Sequence, residues 1–108
     1  MQTSQPTWSQ TEKNIAQAAF ESAYQREINV LIQEVHDRSK GIVAIEEVWQ
    51  LHDFLSARRH ELDGKYDNRD SALVFVFADL IREGWLQMSE LEGLDSDKLK
   101  KIVALSRM

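Results

Sequence analysis

Apolar residues recur at helical spacing along almost the whole chain, beginning at Ser9. Between residues 9 and 39 they are three or four positions apart, as on one face of an α-helix. Ser9 followed by Glu12 forms the capping-box pattern that opens a helix, and Gly41 is placed to end it. The apolar stripe consists of Phe20, Tyr24, Ile28, Leu31 and Val35. The pattern predicts a first long helix over residues 9–39.

The second predicted helix, residues 43–66, carries two apolar strips instead of one. The main stripe alternates three- and four-residue steps and includes two polar members: Ile45, Val48, His52, Leu55, Arg59, Leu62 and Tyr66. Leu51, Phe54 and the aliphatic stem of Arg58 form the other strip. A helix with two apolar strips must bury two faces, and about 24 residues span roughly 36 Å. The rest of the chain is too short to cover both faces, so the pattern predicts a homodimer.

A third helix is predicted from Asp70 or Ser71, either of which can cap it, to Gly84. Its buried stripe is Leu73, Val74, Phe77, Leu80 and Ile81. Phe75 then points away from the stripe, on the side of Asp79 and Arg82. The run ALVFVFA is also compatible with a β-strand, but no partner strand is visible elsewhere. We therefore favour a helix.

A short turn at residues 88–92 and a last helix opening at Asp95 or Ser96 complete the predicted elements. The last helix directs Leu99, Ile102 and Val103 inwards, with Lys98 and Lys101 on its polar side. The expected fold class is all-α, with two long helices forming an extended dimerising stalk and a small C-terminal helical head. The expected domains are a disordered N-terminal tail, residues 1–8, and one helical domain, residues 9–108, divided into stalk 9–67 and head 68–108.

Composition and motifs narrow the function classes. The net charge of −5 argues against a generic nucleic-acid or anionic-membrane binder. The chain has no cysteine, which excludes thiolate metal sites and cysteine nucleophiles. The polar start lacks a signal-peptide pattern, and the run Ala72–Ala78 is too short to span a bilayer. We therefore expect a soluble protein. The sequence also contains none of the common catalytic or phosphate-binding motifs, so we expect neither enzymatic activity nor a cofactor.

One group of polar residues stands out on the second helix. Trp49 and Asp53 are four residues apart, and His52 shares their side. Arg59 is six residues from Asp53, about 240° around the helix axis, so the two cannot pair within one helix. An antiparallel second copy would bring Asp53 of one chain near Arg59 of the other, twice by symmetry. The alternative is a solvated helix with incidental charges.

Phe75 and Lys101 form a second candidate surface. If Phe75 is exposed, an aromatic side chain with a nearby lysine is a reasonable protein-docking patch, because aromatic anchors dominate interface energetics. The alternative is that Phe75 packs beneath a neighbouring helix. A metal site using the three histidines would be possible only across a dimer, because no two of them are four residues apart.

Three segments carry a family resemblance. The stretch VWQLHDFLSARRHELDGKYD (Val48–Asp67), the following ALVFVFADLIREGWL and the ending GL-x-S-x-KL-x-KI-x-AL-x-RM resemble the cyanobacterial fluorescence recovery protein family. The resemblance extends from Trp8 to Met108. It implies an α-helical homodimer without a cofactor, whose long-helix patch matches Trp49, His52, Asp53 and Arg59. The residues with which this family docks its partner match Phe75 and Lys101 in this sequence.

The resemblance also implies a function that the residue patterns alone do not give. Members bind the photoactivated red form of the orange carotenoid protein, mainly through its C-terminal domain. They accelerate its return to the orange form and its release from the phycobilisome, which ends non-photochemical quenching. The expected location is the cyanobacterial cytosol, including the thylakoid face that carries the phycobilisome. The alternative function is a helical homodimeric adaptor for another signalling protein.

Overall fold

Four α-helices account for most of residues 7–108, the part of the chain that the computed structural model describes. They are α1 (Gln10–Lys40), α2 (Ile45–Lys65), α3 (Leu73–Glu83) and α4 (Ser96–Ser106), with a 3-10 turn at Met88–Leu91 between the last two. The described residues contain no strand. The all-α prediction is confirmed, and the strand alternative for residues 72–78 is wrong.

The start of α1 follows the predicted capping box. The Ser9 Oγ accepts a hydrogen bond from the Glu12 amide at 3.1 Å, and Glu12 Oε1 accepts one from the Ser9 amide at 3.0 Å. The start of α3 differs from the prediction, because residues 70–72 form a turn and the N-cap is Ala72. At the other end Gly84 adopts a φ of 88°, the left-handed conformation that glycine tolerates without strain.

Two antiparallel helices give the molecule its length. After the turn at residues 41–44, α2 runs back along α1, so that Phe54 lies beneath Arg38 near the turn and Tyr66 packs edge-on against Phe20 and Tyr24. The described residues measure 60 by 29 by 26 Å, with a radius of gyration of 17.2 Å. A compact chain of this size would have about 13 Å. The helical hairpin therefore extends well beyond the main core.

The core is built from α3, α4, the 3-10 turn and the first half of α1. Ala16, Ala19 and Ala23 of α1 are buried in the same cluster as Phe77, Leu80, Leu91 and Ile102. The predicted division at residue 67 left this half of α1 out of the head. We call residues 7–27 and 73–106 the head bundle, and residues 28–61 the outer stalk.

The chain is ordered further towards its N-terminus than the tail prediction allowed. Residues 1–6 of the predicted tail lie outside the described residues, but Trp8 is only 6% exposed and belongs to the core. Lys98, predicted on the polar side of α4, is also buried, with its Nζ 3.0 Å from the Glu12 carboxylate. The prediction for Lys98 is wrong because its partner lies 86 residues away, beyond what helical periodicity can indicate.

Candidate functional site

The outward face of α2 exposes apolar side chains. Ile45, Val48 and Trp49 are 56%, 38% and 59% exposed. The other strip is half-buried against α1, where the Arg38 guanidinium lies 3.9 Å above the Phe54 ring. The two predicted apolar strips of α2 are therefore present. The strip that contains Phe54 packs against α1, whereas the main stripe is uncovered at Ile45 and Val48. Such an uncovered apolar face is typical of an association surface.

Three of the four predicted patch residues on α2 come together. The rings of Trp49 and His52 meet edge-to-face with centroids 6.5 Å apart, and His52 Nδ1 is 3.3 Å from Asp53 Oδ1. Arg59 lies further along the helix, where its Nε is 3.9 Å from Asp63 Oδ2. The side chains of His52, Asp53 and Arg59 are 71%, 81% and 87% exposed. Within one chain the structure does not bring Asp53 and Arg59 together.

This exposure limits what the patch can do chemically. Ion pairs in water contribute little free energy, and the patch lacks the desolvated pocket in which acid–base catalysis usually takes place. Trp49 offers a large aromatic surface beside a polar rim. Aromatic residues of this kind anchor protein interfaces. The arrangement therefore suits a protein-binding surface.

Phe75 is an exposed aromatic residue of α3 in the head bundle. It is 57% exposed, although most of the apolar residues of α3 are buried. The prediction that Phe75 lies off the buried stripe is confirmed, and the alternative that it packs beneath a neighbouring helix is wrong. On its side of α3, Arg82 pairs with Asp79 and donates a hydrogen bond to the Leu105 carbonyl of α4 at 3.2 Å.

Lys101 lies on the exposed surface of α4, as predicted. With Val74 it lines a shallow crevice between α3 and α4. Phe75 does not line this crevice, because successive residues of a helix point about 100° apart. The structure therefore places the two predicted docking residues on the exposed surfaces of α3 and α4 without joining them in one pocket. Their binding partner stays a prediction.

A buried polar network joins the end of α2 to the head bundle, and it was not predicted from the sequence. Glu27 of α1 is 4% exposed and accepts hydrogen bonds from Lys65 Nζ and Tyr66 Oη, both at 2.7 Å. Lys65 also donates to Glu83 of α3 at 2.7 Å. Burial and the hydrogen bond to Glu27 raise the pKa of Tyr66. Burial lowers the pKa of Lys65, but its bonds to Glu27 and Glu83 outweigh that effect and raise the pKa overall.

One signal in the sequence could have indicated this network. Glu27 follows Ala16, Ala19 and Ala23 at helical spacing, so it lies on the face of α1 that is buried in the head bundle. A carboxylate on a buried face requires hydrogen-bonding partners. The search for such a partner would have pointed to the basic and phenolic residues at the end of α2.

Comparison with known proteins identifies the family. Residues 8–106 match the family described as "Photoprotection regulator fluorescence recovery protein". The chain belongs to this family. It is 50% identical over 108 residues to the fluorescence recovery protein of Synechocystis sp. (PCC 6803), a match that covers 100% of this chain and 99% of that protein. The resemblance found in the sequence is thereby confirmed.

Solved structures of family members have the same fold. The fluorescence recovery protein of Fremyella diplosiphon is 61% identical and superposes with a TM-score of 0.91, covering 94% of this chain and 100% of that one. The Synechocystis structure is 51% identical with a TM-score of 0.90 and the same coverage. The family description makes this chain a photoprotection regulator. Among the described residues, no helix has the length and apolar character needed to cross a membrane.

Proposed function

We propose that this protein binds the photoactivated red form of the orange carotenoid protein, mainly through the partner's C-terminal domain. It then accelerates the partner's return to the orange form and its release from the phycobilisome, so that non-photochemical quenching ends. The observation that carries the proposal is membership of a photoprotection-regulator family over residues 8–106. The protein needs no covalent chemistry and no cofactor for this function, because the carotenoid belongs to the partner. It would act in the cyanobacterial cytosol.

We also propose that the protein acts as a homodimer. The support is the uncovered face of α2, where Ile45 and Trp49 are more than half exposed in the single chain. A second copy of α2 laid antiparallel on this face would cover them. It would also place Asp53 of one chain near Arg59 of the other, and the twofold symmetry would form this pair twice.

The head surface around Phe75 and Lys101 is the proposed docking site. A half-exposed phenylalanine provides an apolar anchor, and Lys101 adds a positive charge that can steer a partner of opposite sign. A dimer would carry two such sites, one on each head bundle. The exposure of Phe75 supports this role, since burial in the head bundle does not account for the residue.

The mechanism follows from selective binding. Photoactivation separates the two domains of the carotenoid protein and exposes surface that the closed form hides. A protein that binds only this surface selects the open form. To accelerate closure, it must also stabilise the transition state for domain closure more strongly than the open state. Contacts that hold the partner's domains in the closing orientation would have this effect.

The direct test is the dark conversion of red orange carotenoid protein to the orange form, followed by absorbance with and without this protein. We expect the conversion rate to rise with protein concentration and then to saturate. A Phe75→Ala variant of unchanged helix content should need a higher concentration for the same effect. An unchanged conversion rate at a large excess of this protein would reject the proposed function. Co-purification with a different signalling protein in that case would favour the adaptor alternative.

A further inference from the structure

Residues 7–9, which we call the N-terminal strap, lie across the beginning of α4. Lys98 of α4 donates a hydrogen bond to the Thr7 carbonyl at 2.6 Å and contacts both oxygens of Glu12 at 3.0 Å. The Trp8 ring covers the same ammonium group, with Nζ 4.7 Å from the ring centroid. Trp8, Glu12 and Lys98 are 6%, 8% and 6% exposed. The Lys98 charge is therefore enclosed by the strap and the first turn of α1.

The Glu12 carboxylate ties three segments together. It accepts hydrogen bonds from the Ser9 amide at 3.0 Å, from the Asp95 amide at 2.8 Å and from Lys98. Ser9 belongs to the strap, and Asp95 is the N-cap of α4. The Ser9 and Asp95 amides lower the pKa of Glu12 from 4.5 to about 2, despite the opposing effect of burial. The carboxylate is thus charged throughout the physiological pH range.

The strap also reaches the proposed docking surface. Thr7, Val74, Lys98 and Lys101 line the same crevice between the strap, α3 and α4. Lys101 follows Lys98 by one turn of helix, so the position of its Cα depends on how the first turn of α4 is held. α4 has 11 residues, too short to be stable without tertiary contacts.

We propose that Trp8, Glu12 and Lys98 are positioning residues for partner docking: they hold the first turn of α4, and with it Lys101, in the binding arrangement. This inference rests on the proposed function for the identity of the partner. It adds that the strap and a buried ion pair, not only the exposed residues Phe75 and Lys101, determine affinity. Removing either charge leaves the other buried without its ionic partner, which is strongly unfavourable.

The test compares Lys98→Met with Lys100→Met. Both variants lose one positive charge on α4, but Lys100 is exposed. In Lys98→Met we expect hydrogen exchange of the Asp95 amide to accelerate about tenfold, because Glu12 no longer holds its position. We expect the concentration that gives half-maximal acceleration of red-to-orange conversion to rise about tenfold as well. The maximal rate, the dimer and the helix content should be unchanged, and Lys100→Met should behave like the parent.

Two results would overturn the inference. One is equal half-maximal concentrations for Lys98→Met and Lys100→Met, which would show that the ion pair stabilises the fold without affecting docking. The other concerns Glu12→Gln, the milder variant to be used if Lys98→Met loses helix content. A folded Glu12→Gln variant with parent-like Asp95 exchange and parent-like half-maximal concentration would also contradict it. Failure of the parent protein to accelerate conversion would instead reject the proposed function, and Asp95 exchange would still test the strap.

Discussion

The head bundle buries most of its large apolar side chains, whereas the outer stalk leaves several of them exposed to solvent. In the head bundle Phe77, Leu80 and Ile102 are completely buried. In the outer stalk Ile45 and Trp49, equally apolar, are 56% and 59% exposed. The 11 residues of α3 include six buried ones, whereas the 21 residues of α2 include only Leu62. The head bundle thus completes its core within one chain, and α2 does not.

α1 shows the same contrast within one helix. Its first half presents three buried alanines to the head bundle, where small side chains let neighbouring helices approach closely. Its second half has no buried residue beyond Glu27. Polar pairs four residues apart, such as Gln33 with Asp37 and Glu34 with Arg38, lie along this half, as they do on the outer face of the first half. Pairs of this kind support an exposed helix by a few tenths of a kcal/mol each. Folding stability should therefore reside mainly in the head bundle, and association in the outer stalk.

The largest expected effect is on the head core. Phe77→Ala should lower the free energy of unfolding by about 3–5 kcal/mol. Phe77 is completely enclosed, so its truncation leaves a cavity that the neighbouring side chains fill only in part. This is a large part of the stability of a typical small protein. Urea unfolding followed by circular dichroism would measure it. A loss below about 1 kcal/mol would show that the head bundle is not the main source of stability.

Ile45→Glu should abolish the proposed dimer while leaving the head bundle folded. A charge at an apolar interface loses its hydration on association, but in the single chain Ile45 is already more than half exposed. Light scattering at micromolar concentration should report a monomer of nearly parent helix content, and Leu55→Glu should act in the same direction. Gln50→Glu adds the same charge at another exposed position of α2 and is the control. A clean dimer in Ile45→Glu would place the interface elsewhere.

Phe75→Ala should weaken partner binding without weakening the fold. Loss of an aromatic anchor costs about 2 kcal/mol or more, which is roughly thirtyfold in affinity. Lys101→Glu should weaken binding more at low salt than at high salt, since exposed charges are screened within about 10 Å at 0.1 M. Titration against photoactivated orange carotenoid protein would measure both. If Phe75→Ala lowers the melting temperature by many degrees, the residue contributes to the core and the docking role is wrong.

Periodicity predicted the helices well because each apolar stripe is a local signal. The capping box at Ser9, the buried stripe of α3 and the outward position of Phe75 all follow from spacing within one helix. Lys98 and Glu27 could not be predicted in the same way, because their burial depends on partners far along the chain. An ion pair between distant parts of the chain produces no periodic pattern in the sequence. Spacing within a helix also cannot name a partner for the surface around Phe75, so the proposed partner comes from the family resemblance alone.

Tyr66→Phe should destabilise the junction between the end of α2 and the head bundle by about 1.5 kcal/mol, a typical contribution of a hydrogen bond to a charged group. The Tyr66 pKa in the folded protein lies above its ordinary value of 10.0. Its contribution to stability is therefore complete below pH 10 and is lost as the pH rises above that value. Unfolding measured from pH 7 to 11 should show an alkaline loss in the parent that is smaller in Tyr66→Phe. Tyr24→Phe, at a more exposed ring, is the matched control, and an equal alkaline loss in the parent and Tyr66→Phe would contradict this assignment.

The smallest expected effect concerns Asp53 and Arg59. If they pair across the dimer, reversing either charge should raise the dimer dissociation constant about fivefold, the scale of an exposed ion pair. Reversing both should recover part of the loss. Arg59 also lies 3.9 Å from Asp63 of its own chain, so reversal of Arg59 affects two pairs. A second double-mutant cycle, with Asp63→Lys and the reversal of Arg59, measures this intrachain pair separately. The intrachain pair should change helix stability and leave the dimer dissociation constant unchanged. Strictly additive losses in the Asp53–Arg59 cycle would show that the two residues do not meet across the interface.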